Sequence, residues 1–292
     1  MTAHMMPRSW LFVPADSERK MARVRDAGAD AVILDLEDAV VPERKALARQ
    51  MSAAFLKAHA GSSGPPLWVR VNAYSSGLMH DDLAAVMLAI PAGIMLPKPA
   101  SIADVRELDR ALRELESATP GRAETPVVAI ATETALAVAT LSGYVRPPAR
   151  LLALTWGAED LAADLGAQLN RDADGEFRFT FKLVRSLCQI AAAAAGLPAI
   201  ETLNLDYRDE AAVARCAGRA AEDGFSGMLA IHPAQVPIIN AAFTPTDAQL
   251  SLARRVLAAF AAAPDAGAVH LDGRMLDRPH RLQAERLLER AR

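Results

Sequence analysis

The stretch Asp30-Ala-Val-Ile-Leu-Asp-Leu-Glu-Asp-Ala-Val-Val-Pro42 constrains the fold more than any other. Ala31, Val32, Ile33 and Leu34 form an unbroken apolar run, and three carboxylates, Asp35, Glu37 and Asp38, follow at once. A strand with one wet face would alternate apolar and polar residues. This one does not, so both of its faces are covered, as in the parallel strands of α/β proteins. Strands of that kind carry their binding groups at their carboxyl ends. The acids therefore mark the end of the molecule at which a ligand is expected.

The same device recurs along the chain. Apolar strands are expected over residues 9–13, 31–36, 67–71, 93–96, 126–131, 151–155, 199–203 and 227–231. Helical patterns separate them, over 17–27, 43–59, 78–90, 103–115, 135–141, 182–195 and 209–223. Residues 168–180 read as a polar surface excursion. Eight strand–helix units in order make an α/β fold of the (β/α)8 TIM-barrel type the economical topology, over residues 1–244. Residues 245–292 depart from the pattern. They read as a helix at 247–263, a linker at 264–267, a compact turn-rich segment at 270–279 and a final helix at 281–292. A closed barrel does not need this C-terminal helical extension, so it is expected to act as an arm or lid.

Composition narrows the function. The 292 residues are 52% hydrophobic, enough for a large core, and the net charge of -3 gives no electrostatic case for nucleic acid. The two cysteines, Cys188 and Cys216, lie far apart with no metal spacing, which fits a reducing compartment. No apolar run nears the roughly 20 residues of a membrane span, and residues 1–7 lack the apolar core of a signal peptide. A cytoplasmic protein with no membrane partner is expected. The phosphate-binding, nucleophile-elbow and zinc-protease motifs are absent, which removes the commonest nucleotide and hydrolase readings.

What the strand ends carry points elsewhere. The second delivers Asp35, Glu37 and Asp38, the third Arg70 and Asn72, the fourth Lys98, the fifth Glu133, the sixth Asp160 and the eighth His232. In a barrel these gather at one mouth. Glu133 and Asp160, from adjacent strands, suit a hard divalent cation such as Mg2+, which takes one or two protein carboxylates and fills its octahedron with water and substrate oxygens. Arg70 has the planar fork that grips a carboxylate through two bonds. Acids, arginine and a cation together suggest an acidic substrate. Asp35 stands either as a direct ligand or as a group orienting Arg70 or metal-bound water. Asp38 and Glu159 either serve the site or cap a following helix. Lys98, between Pro97 and Pro99, is expected to neutralise buried acids, and His232, before Pro233, to be structural.

Several segments together resemble a known family. They are Arg8-Ser-Trp-Leu-Phe-Val-Pro14, Ala29 through Val40, Arg70-Val-Asn72, Gly93-Ile-Met-Leu-Pro-Lys98, Glu133-Thr134, Gly157-Ala-Glu-Asp-Leu161, His232-Pro233 and Gly273-Arg-Met-Leu-Asp277. In that order they resemble the citrate lyase beta subunit-like (CitE-like) branch of the HpcH/HpaI aldolase superfamily, kin of malyl-CoA and citramalyl-CoA lyases. The likeness covers nearly the whole chain, and one departure is Thr132, where an apolar residue is commoner. It implies a carbon–carbon lyase that uses Mg2+, with Mn2+ as the alternate ion. The implied substrate is the thioester of a hydroxy dicarboxylic acid on coenzyme A or an acyl carrier protein. By the same likeness Glu133 and Asp160 hold the metal, Arg70 binds substrate oxygens, and Asp277 is the acid/base, the alternative for Asp277 being a cap on the final helix. Glu37 and Asp38 line the substrate site, and Arg8 and Lys20 meet the carrier phosphates. It further implies a homotrimer or hexamer in which Asp277 reaches a neighbouring barrel. Three readings compete with it: a citryl carrier-protein lyase, a pyruvate-dependent free-acid aldolase, and a barrel that binds without chemistry.

Overall fold

The computed structural model describes residues 6–118 and 123–291. Eight parallel strands close into a barrel in chain order: β1 (Ser9–Pro14), β2 (Ala31–Asp35), β3 (Leu67–Arg70), β4 (Gly93–Leu96), β5 (Val127–Ile130), β6 (Leu151–Thr155), β7 (Ala199–Glu201) and β8 (Gly227–Ala230). Helices return the chain between them: α1 (Glu18–Val24), α2 (Lys45–Ala58), α3 (Met79–Val86), α4 (Ile102–Ser117), α5 (Ala135–Ala139), α6 (Glu159–Asp164), α7 (Phe179–Ala194) and α8 (Glu210–Asp223). After β8 come α9 (Gln235–Phe243), α10 (Asp247–Ala262), the strands β9 (Ala268–Leu271) and β10 (Arg274–Asp277), and α11 (Arg278–Glu289). The (β/α)8 barrel with C-terminal helices is the architecture that the strand–helix alternation predicts.

The strands are largely apolar up to their carboxyl ends because both faces are covered. Every residue of β2, β4 and β5 is buried. Helix starts follow local side-chain chemistry. Ser101, Thr134 and Asp209 accept hydrogen bonds from the backbone N–H groups of Ala103, Ala137 and Ala212, satisfying donors that a helix start leaves unpaired. Register sets the mouth. Asp35 pairs with Arg70 across β2 and β3, so an acid and a base are level on neighbouring strands before any side-chain contact forms.

The chain forms two compact units that part between Asn240 and Ala241. In the C-terminal one, Thr246 and Gln249 make a reciprocal capping box at the start of α10. Phe260 and Val256 of α10 pack with Val269 and Ala284 in a small core. The segment expected to be a compact turn is an antiparallel hairpin, β9 with β10. Asp272 (φ 51) and Gly273 (φ 75) both take the left-handed backbone of a two-residue hairpin turn. The final helix begins three residues earlier than expected, at Arg278, because Pro279 is accommodated in its first turn.

Candidate active site at the carboxyl ends of the strands

The mouth is built on one ion-pair network. Arg70, at the end of β3, donates from Nε and Nη2 to the two oxygens of Asp35, each at 2.7 Å. Asp35 also accepts from the backbone N–H groups of Glu37 (2.9 Å) and Ala39 (3.2 Å), which folds the chain sharply after β2. Of the two roles open to Asp35, it fills that of orienting Arg70. The fork expected to meet a substrate carboxylate is thus spent on Asp35. Nη1 is left facing Glu37, 3.0 Å from Oε2. Burial works against the Arg70 charge, but Asp35 and Glu37 outweigh it and hold the guanidinium pKa above its ordinary value.

Lys98 sits just after β4 with a left-handed backbone (φ 50). Its ammonium lies 2.5 Å from Glu37, 2.7 Å from Asp38 and 3.2 Å from Asp160. Its backbone N–H donates to Glu133 at 2.6 Å. One residue therefore touches four of the five acids around the mouth, three through its ammonium and Glu133 through its backbone N–H. Burial opposes its charge, yet the hydrogen bonds to Asp38 and Glu37 hold its pKa above normal. Glu37 is pushed up by burial, against the pull of Arg70 and Lys98. Asp38, more open, is held low despite its burial because Lys98 hydrogen-bonds it.

Glu133, just beyond β5, is almost wholly buried. Burial, opposed by Arg70 and reinforced by the charges of Asp160 and Glu37, lifts its carboxyl well above the usual range. The sequence around it makes the room. A Cβ on Gly157 would stand 2.5 Å from Glu133 Cγ, so the residue facing Glu133 has to be glycine. Thr132, the departure from the family pattern, has a task here: its hydroxyl accepts the backbone N–H of Gly157 at 3.3 Å and ties the loop after β6 to the end of β5.

The donor chemistry fits a hard dication. Asp35, Glu37, Asp38, Glu133 and Asp160 are set against two cations, Arg70 and Lys98. Glu37 Oε2 is buried with no aligned hydrogen-bond donor, although Arg70 lies close by, so it has an unused lone pair for a bound ligand. Among the described residues no group of three or more His, Cys, Asp or Glu side chains is placed to hold a metal ion by itself. Mg2+ needs none, since it keeps several waters.

Other expected positions fall as follows. Lys20 is exposed on the first turns of α1, at the mouth end of β1. Arg8 is not there. It precedes β1, so it lies at the opposite end of the barrel, and its guanidinium is bound by Asp30 at 2.7 and 2.9 Å. It is withdrawn from the carrier-phosphate role. His232 stacks on Tyr207 at 4.2 Å and accepts from the backbone of Ala234, a structural part. Asp277 ends β10 in the C-terminal unit, half-exposed, with Oδ1 2.6 Å from Nδ1 of His280. Asp82, its partner Arg49, and Lys45 are supports that escaped sequence reading. Buried Asp82 accepts from both the backbone and side-chain nitrogens of Asn72 and from Arg49. Lys45 donates to the carbonyls of Leu36 and Glu37 at 2.7 Å. The Leu78-Met79-His80-Asp81-Asp82 helix start gave no signal that Asp82 points inward.

The model of the HpcH/HpaI aldolase/citrate lyase family matches residues 8–233. The chain belongs to this family. With it, the chain falls among the carbon–carbon lyases. The solved structure of protein CitE from Mycobacterium tuberculosis, in complex with magnesium, acetoacetate and coenzyme A, is similar at a TM-score of 0.80 and 35% identity, covering 97% of both chains. A (3S)-malyl-CoA thioesterase from Cereibacter sphaeroides is 32% identical, over 97% of this chain and 94% of its own length. The mitochondrial citramalyl-CoA lyase of Mus musculus is 30% identical, over 96% of this chain and 85% of its own length. These relatives extend past residue 233 and so include the C-terminal unit as well as the barrel. No helix of the described residues is long and apolar enough to cross a membrane.

Proposed function

We propose that this chain is a Mg2+-dependent lyase that cleaves the CoA thioester of a hydroxy dicarboxylic acid into a 2-oxo acid and an acyl-CoA. The observation that carries the reading is the buried Glu133 beside Asp160, within one network with Arg70 and Lys98. Glu133 and Asp160 would hold the cation, which supplies Lewis-acid polarisation to the substrate's hydroxyl and carboxylate oxygens. Arg70, fixed by Asp35, offers Nη1 to a substrate oxygen. Lys98 keeps Glu37 and Asp38 from repelling an anionic substrate. Cleavage removes the proton of the substrate hydroxyl, breaks the bond to the carbon beside the thioester carbonyl, and returns a proton to that carbon. Asp277 is the group we assign to proton transfer, delivered from a second copy of the chain in a trimer or hexamer. Lys20 is assigned to the carrier phosphates. Support for CoA comes from the coenzyme A and magnesium in the CitE complex.

The test is turnover on a panel of malyl-CoA, citramalyl-CoA, a citryl carrier protein and the free hydroxy acids, with Mg2+, with Mn2+ and with chelator. The expected result is a 2-oxo acid plus acyl-CoA from a CoA thioester, lost on chelation. Cleavage of free acids alone would make the protein an aldolase, and cleavage of the carrier-bound substrate alone a citryl carrier-protein lyase. No turnover at all would leave a binding barrel. The likeness to the (3S)-malyl-CoA thioesterase favours a second reading, hydrolysis of the thioester, in which water is consumed and free CoA thiol and hydroxy acid are released. Mass analysis of products separates the two, because only hydrolysis yields the thiol without a 2-oxo acid.

A further inference from the structure

The C-terminal unit holds an acid and an imidazole at the junction of two elements. Asp277 is the last residue of β10 and the N-cap of α11. Its backbone is fixed from both sides, by pairing with Ala268 of β9 and by the helix that follows. His280 stands three residues on, which brings it to the same side of the helix. Asp277 Oδ1 is 2.6 Å from His280 Nδ1, and the backbone nitrogen of Asp277 is 3.2 Å from the same ring nitrogen. Both contacts therefore fall on Nδ1. The two side chains are 45% and 47% exposed, so water reaches the pair.

A shared proton is what makes this geometry favourable. Two bare lone pairs at 2.6 Å would repel, so one hydrogen lies between Oδ1 and Nδ1. If it sits on Nδ1, the ring donates to a carboxylate and gains a charge-assisted bond. If it sits on Oδ1, the bare Nδ1 accepts from the carboxyl and from the backbone N–H of Asp277 together. Each position has its own supporting contact, so the proton can be held at either atom. Nearby charges do not claim the pair. Arg255 of α10 is taken by Asp272 and Arg281 by Glu285. Among the described residues Arg254, His270, Arg274 and Arg278 form no ion pair with Asp277 or His280.

We propose that His280 is a positioning residue for Asp277, which orients its carboxyl group and resupplies the proton that it spends. This rests on the assignment of Asp277 to proton transfer. In cleavage Asp277 gives its proton to the carbon beside the thioester carbonyl and is left as a carboxylate. The Nδ1 proton of a doubly protonated His280 ring then passes to Oδ1 and recharges the acid. The ring is left neutral, and a buffer acid or a hydronium ion reprotonates it. Between turnovers the carboxyl group turns about its Cβ–Cγ bond, a torsion with a broad, two-fold profile. The resupply makes and breaks only N–H and O–H bonds, and it needs the exposure to water that both side chains have.

The test compares His280→Gln, His280→Ala and Asp277→Asn in the full chain, on malyl-CoA and citramalyl-CoA with Mg2+. Glutamine at this place keeps a reciprocal cap with Asp277, so His280→Gln should melt as the wild type does. A ring that only capped the helix would leave kcat and its pH profile unchanged in that variant. The expected result is a kcat lower by roughly tenfold to a hundredfold, with KM changed by less than about twofold, since a group acting through the acid/base contributes a fraction of what the acid/base itself does. The pH profile of kcat should change shape, and added imidazole should restore part of the kcat of His280→Ala. NMR of protein labelled at the histidine nitrogens reads the pair without turnover. Wild type should show the Nδ1–H form of His280. Asp277→Asn should shift it to the Nε2–H form, in which a bare Nδ1 accepts from the backbone and the new amide. His280→Gln with wild-type kcat at every pH overturns the proposal, and an inactive Asp277→Asn in the same series leaves the reading of Asp277 standing. A folded His280→Ala that imidazole does not restore also overturns it, as does a ring form that Asp277→Asn leaves unchanged. An Asp277→Asn protein that turns over as wild type does, or a wild type that cleaves neither thioester, removes the reading of Asp277 and this inference with it.

Discussion

Arg70→Lys should be damaging in two separable ways. The guanidinium makes two 2.7 Å bonds to Asp35, whose side chain is 2% exposed, and sits 4.7 Å over the ring of Phe12. A lysine ammonium reaches one oxygen of Asp35 at a time and leaves the other without a cationic donor. Losing one charge-assisted bond and leaving a buried carboxylate oxygen short of a partner costs about 3 kcal/mol. In a chain of this size that is roughly a 6 °C fall in melting temperature. The same change removes Nη1, which faces Glu37 at 3.0 Å and is the nitrogen assigned to the substrate, and the loss of its bond in the transition state should lower kcat/KM by about a hundredfold. Thermal denaturation followed by circular dichroism reads the first effect, and release of 2-oxo acid the second. Asp35→Asn should share most of the stability loss. The double variant should cost less than the two single changes together, because one contact is counted in both. An Arg70→Lys protein with wild-type melting temperature and kcat/KM would refute the reasoning.

Glu133→Gln and Asp160→Asn should each weaken Mg2+ binding at least tenfold by titration calorimetry while the melting temperature stays near that of wild type, since an amide replaces a carboxylate ligand poorly. Unchanged affinity in both would remove them as ligands. Gly157→Ala should cost about 1–3 kcal/mol of stability and also weaken Mg2+, because its Cβ has to displace Glu133 Cγ from 2.5 Å; an alanine variant with full affinity would show that the loop yields freely. Asp277→Ala mixed with Glu133→Gln, each inactive alone, should regain activity after subunit exchange if the arm acts on a neighbouring barrel. A mixture that stays inactive although exchange is seen by mass confines the arm to its own chain or removes it from the chemistry.

What the sequence discloses and what it hides follow from range. Asp35, Glu37 and Asp38 are legible because an unbroken apolar run ending in acids has few other structural meanings, and the alternation of such runs with helical patterns leads to a barrel. The partners of those acids are not legible. That Arg70 spends its fork on Asp35 depends on the register of β2 against β3 and on a turn after Asp35 that turns its carboxylate back, and neither leaves a mark on spacing. Arg8 misleads for a related reason: it begins one of the segments that carry the family resemblance, but one residue before a strand start is the wrong end of a parallel barrel. The hairpin at Asp272-Gly273 could have been found. A two-residue Asp-Gly turn between short apolar-containing segments is a strong hairpin signal, and it is obscured by the charged residues around it. Asp82 could not. A carboxylate in the first turn of a helix reads as exposed, and only the tertiary position of Asn72 and Arg49 buries it.

Lys98 gives a prediction of the opposite sign to the ligand variants. Its ammonium is 3.2 Å from Asp160, so a cation that binds Asp160 has to compete with a positive charge already there. The pair is partly open, 23% and 36% exposed, so its attraction is worth no more than about 1 kcal/mol. The like charge of the ammonium adds a repulsion of similar order toward a dication nearby. Lys98→Met should therefore bind Mg2+ more tightly, by roughly tenfold, as these two small terms are removed together. Activity should nevertheless fall. Glu37 and Asp38 would lose the group that hydrogen-bonds both, and an anionic substrate would meet their unscreened charge, raising KM more than it lowers kcat. Calorimetry on the variant and a full Michaelis analysis separate the effects. Weaker Mg2+ binding in Lys98→Met would mean that the lysine organises the ligands more than it opposes the metal, and the electrostatic account of this mouth would have to be rebuilt around the 2.6 Å bond from its backbone to Glu133.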